Sequence, residues 1–534
     1  MNKRYNCRWS KLSLTLFLTL ICSIIIKNAG AESQSEQPFV IAYSSMPTTL
    51  DPHKSHLAVN IALALHRFDS LFNINFEGGA DSYLVEKWEN LNSKVWLFEL
   101  KKDIKFHDGS LLTTRDVIYS LDRIKAMPDS YFNRFVQRLE HYQPLDPYRF
   151  KIITKEPNAN LLHDLGFIFI IKAQSKPLLD EFFSSKLSNI GTGPYLLESY
   201  TSEDNIHLRV NPYYHSAPVW VKSVCIKGMP DPTARLIALQ QGKVQLAEGL
   251  TEVDSTNILT NHDISFIRSP THRLLYLTLD TTREITPFVR SIDGNVLNNN
   301  PLKSLKVRKA ISLGIDRKYL VSTILKYTGT PADQYVLPNV LGYIGGLIPD
   351  AYDPDEAIKL LSEAGYPNGF QLTLHGAHNR YLKDKAVIEA IAQMLTKIRI
   401  KTTPVVLDEA GAFLNKNNYE YSATLIGGSS EGSLQLMLEN LVHSCSEERG
   451  IFNIGHHSNR TIDELIKQGG AQFNQVKRMR HLKQAQEMAM QDHAFIPLYF
   501  ENAVWGIKYH HKLDFSPTRS GLTLAQDIRP LGVK

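Results

Sequence analysis

The segment GSSEG, residues 428–432, matches the G-x-S-x-G pattern that surrounds the nucleophile of many serine hydrolases. The residues before it, YSATLI, predict a strand, and the residues after it, SLQLMLENL, predict a helix. Asp463 or Asp492, followed by His493 or His510, would complete a triad in the order used by α/β-hydrolases. Patterns of this length also arise by chance, so hydrolysis is kept as the less favoured hypothesis and we expect no enzyme.

Histidine pairs offer a second chemistry, metal binding. The chain has 19 histidines, and three close pairs are His53 with His56, His456 with His457, and His510 with His511. Adjacent residues on a strand point to opposite faces, so the two adjacent pairs do not readily bind one ion there. His53 and His56 suit a helical turn, yet two ligands without a third are weak evidence for a metal site. We therefore predict no metal and no cofactor, and retain nickel or haem carriage as an alternative.

The N-terminus has the layout of a secretory signal peptide. Lys3, Arg4, Arg8 and Lys11 precede the apolar run LSLTLFLTLICSIII, and small residues end it at Ala29 and Ala31. This predicts residues 1–31 as a signal peptide cleaved after Ala31, and hence a periplasmic protein. A membrane anchor is the alternative, but the apolar run is short for a spanning helix.

Removal of that segment changes the charge argument. The full chain has 59 basic and 54 acidic residues, and the first 31 residues contribute five basic ones and no acidic one. The remaining chain is neutral by formal count, so its charge does not indicate a nucleic-acid partner. Cys225 and Cys445 are the cysteines that remain. They form either one disulfide or two separate thiols, and the sequence leaves both possibilities open.

Strand and helix patterns alternate along the chain, which predicts an α/β fold. In the stretch from Trp96 to Ile124, apolar residues alternate as in a half-buried strand, and Asp108-Gly109 then predicts a turn. Thr113 or Thr114 is expected to cap the next helix. We expect His107 to have a structural role. The residues assigned to the solvent side of that helix are Arg115, Asp116, Asp122 and Arg123.

Several landmarks together resemble one protein family. They are KFHDG in this stretch, LDPH at 50–53, GTGPY at 191–195, NPYY at 211–214, VRKAISLGIDRK at 307–318 and YDPDEAIKLLSEAGYPNGF at 352–370. The chain resembles family 5 of the extracytoplasmic solute-binding proteins, the oligopeptide, dipeptide and nickel-binding proteins of ABC importers. The resemblance extends over nearly all of residues 38–532.

The resemblance implies a type II periplasmic-binding-protein fold with two α/β lobes, an inserted subdomain and two crossover hinge segments. On this basis we expect lobe I to comprise 32–70, 191–272 and 496–534, the inserted subdomain 71–190, and lobe II 273–495. The crossovers are expected near Pro270–Leu279 and Phe495–Tyr499. The chain would be a monomer that delivers a solute, most simply a short peptide, to a membrane permease and a separate ATPase. A P-loop motif does not occur in the sequence.

The GSSEG segment departs from the family pattern. Peptide binders of this family usually have Asp-Tyr-x-Asp-Pro here, with the first Asp pairing with the peptide ammonium. Ser429 stands at that position, and Glu431 is a candidate substitute. Ser429 and Ser430 would equally suit a neutral or anionic solute. Haem, a nickel chelate, an opine or a sugar-phosphate-like compound are therefore alternatives to a peptide.

Aromatic side chains are further candidates, because aromatic walls can hold solutes with variable side chains. The predicted ligand-binding residues are Tyr43, Ser45, Met46, Tyr276, Gly428, Ser429, Ser430, Glu431, Tyr499 and Trp505.

Overall fold

The computed structural model describes residues 37–174, 190–201, 205–250, 263–347, 350–378, 380–407, 420–446, 448–508 and 512–532. The predicted signal peptide and the pair His510–His511 lie outside these ranges. Within them, no helix combines the length and the apolar character needed to cross a membrane.

Twelve strands form the largest sheet of the described residues, and we number strands along the chain. In spatial order they are β13 (Val289–Arg290), β15 (Phe370–Ala377), β17 (Ala423–Ser429), β12 (Ile264–Leu279), β18 (Ile496–Lys508), β11 (Leu246–Glu248), β1 (Phe39–Tyr43), β10 (Ser223–Gly228), β9 (Asn205–Val210) and β8 (Tyr195–Thr201), with β14 (Gly329–Pro331) paired to β18 and β16 (Ile400–Leu407) paired to β15. Strand β1 is parallel to β10 and β11, and β15 is parallel to β16 and β17. The sheet is mixed, as expected for an α/β protein.

Two long antiparallel strands, β12 and β18, run through both sides of this sheet. The first part of β12 pairs with β18 alone, whereas from Arg273 onward β12 also pairs with β17. A register shift between Pro270 and Leu274 separates the two parts. We call β1 and β8–β11 the β1 side, and β13–β17 with residues 280–495 the β17 side. The shift falls within the first predicted crossover.

Residues 71–171 form a separate unit, which we call the four-stranded unit. Its strands, in spatial order, are β4 (Val85–Asn90), β5 (Val95–Leu100), β7 (Arg149–Thr154) and β6 (Leu139–Pro144), beside a hairpin of β2 (Phe72–Ile74) and β3 (Ala80–Ser82). Its helices are Thr114–Lys125, Asn133–Gln137 and Leu161–Leu165. Phe98, Phe106 and Phe150 lie in its own apolar core. The unit can therefore bury apolar surface without the large sheet.

The strand-turn-helix prediction for this unit is confirmed, with one error. Trp96, Phe98 and Leu100 are buried on alternate positions of β5. The Asp116 carboxylate accepts a hydrogen bond from the Thr113 amide at 2.8 Å, which caps the helix. The placement of Asp116 and Arg123 on the solvent side was wrong. Asp116 also accepts from the Ala173 amide, and Arg123 forms a buried ion pair with Asp51, because later and earlier segments cover this face.

His107 has the structural role expected of it. Its Nε2 lies 3.1 Å from the Gly193 carbonyl oxygen, and its Nδ1 lies 3.2 Å from the Gly191 amide nitrogen. The imidazole thus fixes the GTGPY loop against the four-stranded unit.

The described residues contain further helices and helical turns. They are Ala58–Arg67, Pro232–Gln240, Leu305–Leu313, Arg317–Tyr319, Pro354–Glu363, Asp384–Lys397, Leu434–Met437, Arg460–Ala471 and Gln475–Gln491, with π-helical turns at Leu320–Ile324 and Leu438–Val442, 3₁₀ turns at Pro301–Lys303 and Ala525–Asp527, and a last hairpin of β19 (Leu513–Phe515) and β20 (Ile528–Pro530). The Asp353 side chain accepts from the Glu356 amide at the start of its helix, and Gly365 follows the end with φ of 91°.

The two cysteines are separate thiols. Cys225 is buried on β10, and Cys445 follows the π-helical turn Leu438–Val442. The Cys445 thiol donates to the backbone oxygens of Gly450 and Asn453. Of the two arrangements left open by the sequence, the structure shows the one without a disulfide.

Candidate ligand-binding site

The GSSEG segment forms a tight turn between β17 and a helix. Strand β17 ends at Ser429, opposite Arg273 of β12. Glu431 and Gly432 have φ of 45° and 77°, and Ser433 then caps the helix by accepting from the Leu436 amide. The left-handed backbone at Glu431 directs the chain sharply into the helix, as the strand-turn-helix pattern predicted.

This turn lies where the β17 side meets the four-stranded unit. Gly432 is packed so closely against Gly78 that a Cβ on Gly78 would lie 1.8 Å from the Gly432 carbonyl oxygen. The Nε2 atom of His163 lies 3.4 Å from the Glu431 carbonyl oxygen. The backbone of Glu431 is therefore held between the two parts of the molecule while its side chain stays exposed to solvent.

His272 connects the turn to the hinge region of β12. Its carbonyl oxygen accepts from the Ser430 amide at 3.3 Å, its amide donates to the Ser520 hydroxyl at 2.7 Å, and its ring lies 4.9 Å from that of Phe76. Burial lowers the pKa of His272, and the Glu431 carboxylate opposes that change. Burial also lowers the pKa of His163 to about 4, with the same opposing effect of Glu431. Both imidazoles are therefore neutral at pH 7.

Several arginines surround the same turn. Arg273 forms an ion pair with Glu501 of β18 at 3.2 Å. The Arg380 Nε donates to the Tyr381 hydroxyl at 3.2 Å, and Arg519 donates to the Asn73 side chain. The sequence did not reveal these arginines as site residues, because they come from positions more than 100 residues apart and none lies in a recognisable motif.

The predicted aromatic residues on the β1 side lie in its apolar core. The Tyr43 hydroxyl donates to the Thr523 carbonyl oxygen at 2.5 Å, and the Trp505 indole donates to the Thr523 hydroxyl at 2.8 Å. Both side chains are about 1% exposed. Of their neighbours, Ser45 is exposed and Met46 packs against Gly228.

Tyr276 and Tyr499 are likewise buried, within cores of the β17 side. Their hydroxyls have no hydrogen-bond partner among the described residues. Burial raises the pKa of both phenols far above the usual value, so both are neutral. Gly428 lies beside this group, since a Cβ on it would be 3.5 Å from the Tyr276 ring.

Within the described residues, the serine of the G-x-S-x-G pattern has no partner of the kind that a hydrolase nucleophile needs. The Ser430 hydroxyl is buried and has no hydrogen-bond partner within the described ranges. His493 lies 3.5 Å from Asp350, whereas Asp492 lies 3.5 Å from His457. Asp492 and His493 are thus engaged elsewhere, and His510 lies outside the described residues. The left-handed residue of the turn is not the serine, as it would be in a nucleophile elbow.

The histidine pairs do not assemble a metal site in the described residues. His53 is buried, with Nε2 at 2.7 Å from the Phe169 carbonyl oxygen and Nδ1 beside Arg123. Burial, with Arg123, lowers its pKa to about 4. No group of three histidine, cysteine or acidic residues with metal-binding geometry is present in this part of the chain.

A mixed sheet with two strands passing between its sides, and a polar turn held at the junction, defines the class of two-lobed solute-binding proteins. The family model for bacterial extracellular solute-binding proteins, family 5, matches residues 81–444. The chain therefore belongs to this family, whose members are the extracytoplasmic solute receptors of ABC importers.

Known relatives agree with this assignment. The chain is 27% identical over 477 residues to the glutathione-binding protein GsiB of Escherichia coli K12, which covers 87% of this chain and 89% of that protein. It resembles the Helicobacter pylori DppA solved with the peptide STSA, with 21% identity, a TM-score of 0.73 and coverage of 92% and 97% of the two chains. It also resembles Campylobacter jejuni NikZ solved with Ni(L-His), with 19% identity, a TM-score of 0.74 and coverage of 92% and 99%. The solved structures confirm the two-lobed fold.

Proposed function

We propose that this protein is a periplasmic receptor that binds short peptides between its lobes and delivers them to the permease and ATPase of an ABC importer. The observation that carries the proposal is the Glu431 carboxylate, which is exposed at the junction of the β17 side and the four-stranded unit. A carboxylate at this place can pair with a peptide ammonium, the contact that Ser429 cannot make.

The expected organisation supports this function. Lobe I would comprise 32–70, 191–272 and 496–534 with the inserted subdomain 71–190, and lobe II would be 273–495. Closure about β12 and β18 would then enclose the solute. Cleavage after Ala31 would release a monomer into the periplasm. The relative GsiB is named as glutathione-binding, and a γ-linked tripeptide belongs to the same class of solute.

Glu431→Gln tests the role of this carboxylate. We expect peptide affinity to fall by about 2–4 kcal/mol, because the substitution removes one partner of a desolvated charge pair. Isothermal titration calorimetry with the peptide identified by mass spectrometry of the purified protein would measure this change. Glu464→Gln is the control, because it makes the same chemical change at an exposed helix position. The Glu464 carboxylate forms a 4.0 Å contact with Lys467. Unchanged affinity in Glu431→Gln would contradict the proposal.

A second candidate is a neutral or anionic solute held by the serines. The buried Ser430 hydroxyl without a partner in the described residues favours it, because a ligand atom could complete its hydrogen bonding. In that case Glu431→Gln would leave affinity unchanged or increase it, and Ser430→Ala would weaken binding. The co-purified compound would then be a chelate, an opine or a sugar-phosphate-like molecule instead of a peptide.

A further inference from the structure

The arginines around the GSSEG turn differ in how their charge is balanced. Arg273 is half-exposed and is paired with Glu501 at 3.2 Å. Arg134, Arg380 and Arg519 donate instead to uncharged groups, and in the described ranges none of the three forms an ion pair. In the described part of the chain, these three guanidinium groups therefore have no carboxylate within ion-pair distance.

Arg134 shows the imbalance most directly. Its Nη2 donates to the Asn440 side chain at 2.6 Å, but Nε and Nη1 are buried without a partner in the described part of the chain. The guanidinium lies 5.2 Å from the centre of the Tyr131 ring, and that ring stacks on His56 at 4.2 Å. Buried donors of this kind are normally satisfied by an acceptor, so a group that brings acceptor atoms is expected here.

Arg380 and Arg519 are connected to the turn through neighbouring residues. The Tyr381 hydroxyl accepts from Arg380 and also from the Gly427 amide at 2.9 Å, which ties Arg380 to the end of β17. Arg519 precedes Ser520, whose hydroxyl accepts from the His272 amide beside the turn.

Glu431 and the arginines act electrostatically on the same neighbouring side chains. Burial lowers the pKa of the His56 imidazole, Glu431 opposes this change, and Arg380 and Arg134 add to it. Burial likewise lowers the pKa of Arg519, with Glu431 among the opposing carboxylates. Glu431, Arg380 and Arg134 thus all act on the His56 imidazole, and Glu431 also acts on Arg519.

The Glu431 side chain is exposed at this turn, whereas Glu501 is engaged by Arg273. Three guanidinium groups near it have no ion-pair partner among the described residues. We infer that the solute is an acidic short peptide, with more carboxylates than ammonium groups: Glu431 binds its ammonium, and Arg134, Arg380 and Arg519 bind its carboxylates. This inference rests on the proposed function and narrows its substrate class. A guanidinium suits this task, because its planar donors bind a carboxylate by two hydrogen bonds.

Two synthetic tripeptides of equal length test the inference, Ala-Glu-Ala and Ala-Gln-Ala, which differ by one carboxylate. We expect calorimetry of the full mature protein to show at least about tenfold tighter binding of the acidic peptide, which corresponds to about 1.4 kcal/mol. The difference should shrink as salt concentration rises, because exposed parts of the interaction are screened. Equal affinities at low salt would overturn the inference.

Arg380→Gln provides the matched substitution. It should weaken binding of Ala-Glu-Ala by about tenfold more than binding of Ala-Gln-Ala, because the acidic peptide has one more carboxylate for the arginines to bind. Arg209→Gln is the control, since Arg209 is an exposed arginine on β9 that pairs with Glu198 far from the turn. Circular dichroism verifies folding, and if Arg380→Gln does not fold, Arg519→Gln replaces it. Retained selectivity in both folded arginine variants would overturn the assignment.

The outcomes separate this inference from the proposed function. If both tripeptides bind equally and Glu431→Gln weakens both, the protein is a peptide receptor without acidic preference, and only the inference fails. If neither tripeptide nor any co-purified peptide binds, the proposed function fails and the inference fails with it.

Discussion

An ion pair between Arg138 and Glu439 joins the four-stranded unit to the β17 side. The Nη2–Oε2 distance is 2.7 Å, and the side chains are 13% and 6% exposed. Asp164 lies 3.5 Å from the same guanidinium, and Gln435 donates to Glu439 at 2.8 Å. Substitution of Glu439 by glutamine removes this carboxylate charge and leaves the buried Arg138 guanidinium with the longer Asp164 ion pair.

The magnitude follows from the protonation of Glu439. Burial alone would raise the pKa of this carboxyl, but Arg138, with help from Gln435 and Arg449, holds it at about 2 against an ordinary value of 4.5. At 1.36 kcal/mol per factor of ten this difference is about 3 kcal/mol. The usual cost of breaking a buried ion pair, about 3–5 kcal/mol, is consistent with it. We therefore expect Glu439→Gln to lower the free energy of unfolding by about 3 kcal/mol at pH 7.

The lowered pKa of Glu439 also determines how its contribution to stability changes with pH. The folded-state pKa lies below the unfolded value, so the stabilisation by Glu439 is complete above about pH 4.5 and is lost as the pH falls towards 2. The difference between the parent and Glu439→Gln should accordingly shrink over this range. Urea unfolding followed by circular dichroism at pH 7 and at pH 3 measures both quantities.

Glu198→Gln is the matched control for this experiment. Glu198 also pairs with an arginine at 2.7 Å, but the side chains of Glu198 and Arg209 are 43% and 59% exposed. Exposed pairs contribute little, so we expect a change below about 1 kcal/mol. The reasoning is refuted if Glu439→Gln is no less stable than Glu198→Gln, or if its deficit is the same at both pH values.

Two further substitutions test the contact at the turn and a helix cap. Gly78→Ala should weaken solute binding, because its Cβ would lie 1.8 Å from the Gly432 carbonyl oxygen. Gly294→Ala is the control, since Gly294 has a similar φ of 90° with open space around it, and it should leave binding unchanged. Equal affinities of the two variants by calorimetry would contradict this. Asp353→Ala should lower the free energy of unfolding by about 1 kcal/mol, since it removes the hydrogen bond to the Glu356 amide, and a stability equal to that of the parent in urea would show that the cap contributes nothing.

Much of the local structure was predictable from the chain alone. The alternation at Trp96–Leu100 and the capping Asp353 report short-range physics, because strand period and helix capping depend on residues within a few positions of one another. The turn at Glu431 was predictable for the same reason, and so was its departure from the family pattern at Ser429. These features require no knowledge of the distant chain.

The environment of each side chain was decided by tertiary structure. Tyr276 and Trp505 are aromatic, as the residues of a ligand-binding wall often are, but the structure buries them in apolar cores. The sequence does not distinguish these places, because an aromatic ring suits both equally well. Helical spacing places Asp116 and Arg123 on the solvent side. In the structure, segments from elsewhere in the chain cover them, since Ala173 contacts Asp116 and Asp51 pairs with Arg123.

The same distinction applies to the charges of the site. Glu431 could be selected from a local pattern, whereas Arg134, Arg380 and Arg519 come from three distant segments with no pattern among them. Only the closing of the four-stranded unit onto the β17 side, and the return of the chain after β18, brings them to one turn. Sequence determined the elements and their family, since these depend on local periodicity and ordered motifs. Tertiary structure decided which charges meet, because electrostatic interaction depends on distance in space and not along the chain.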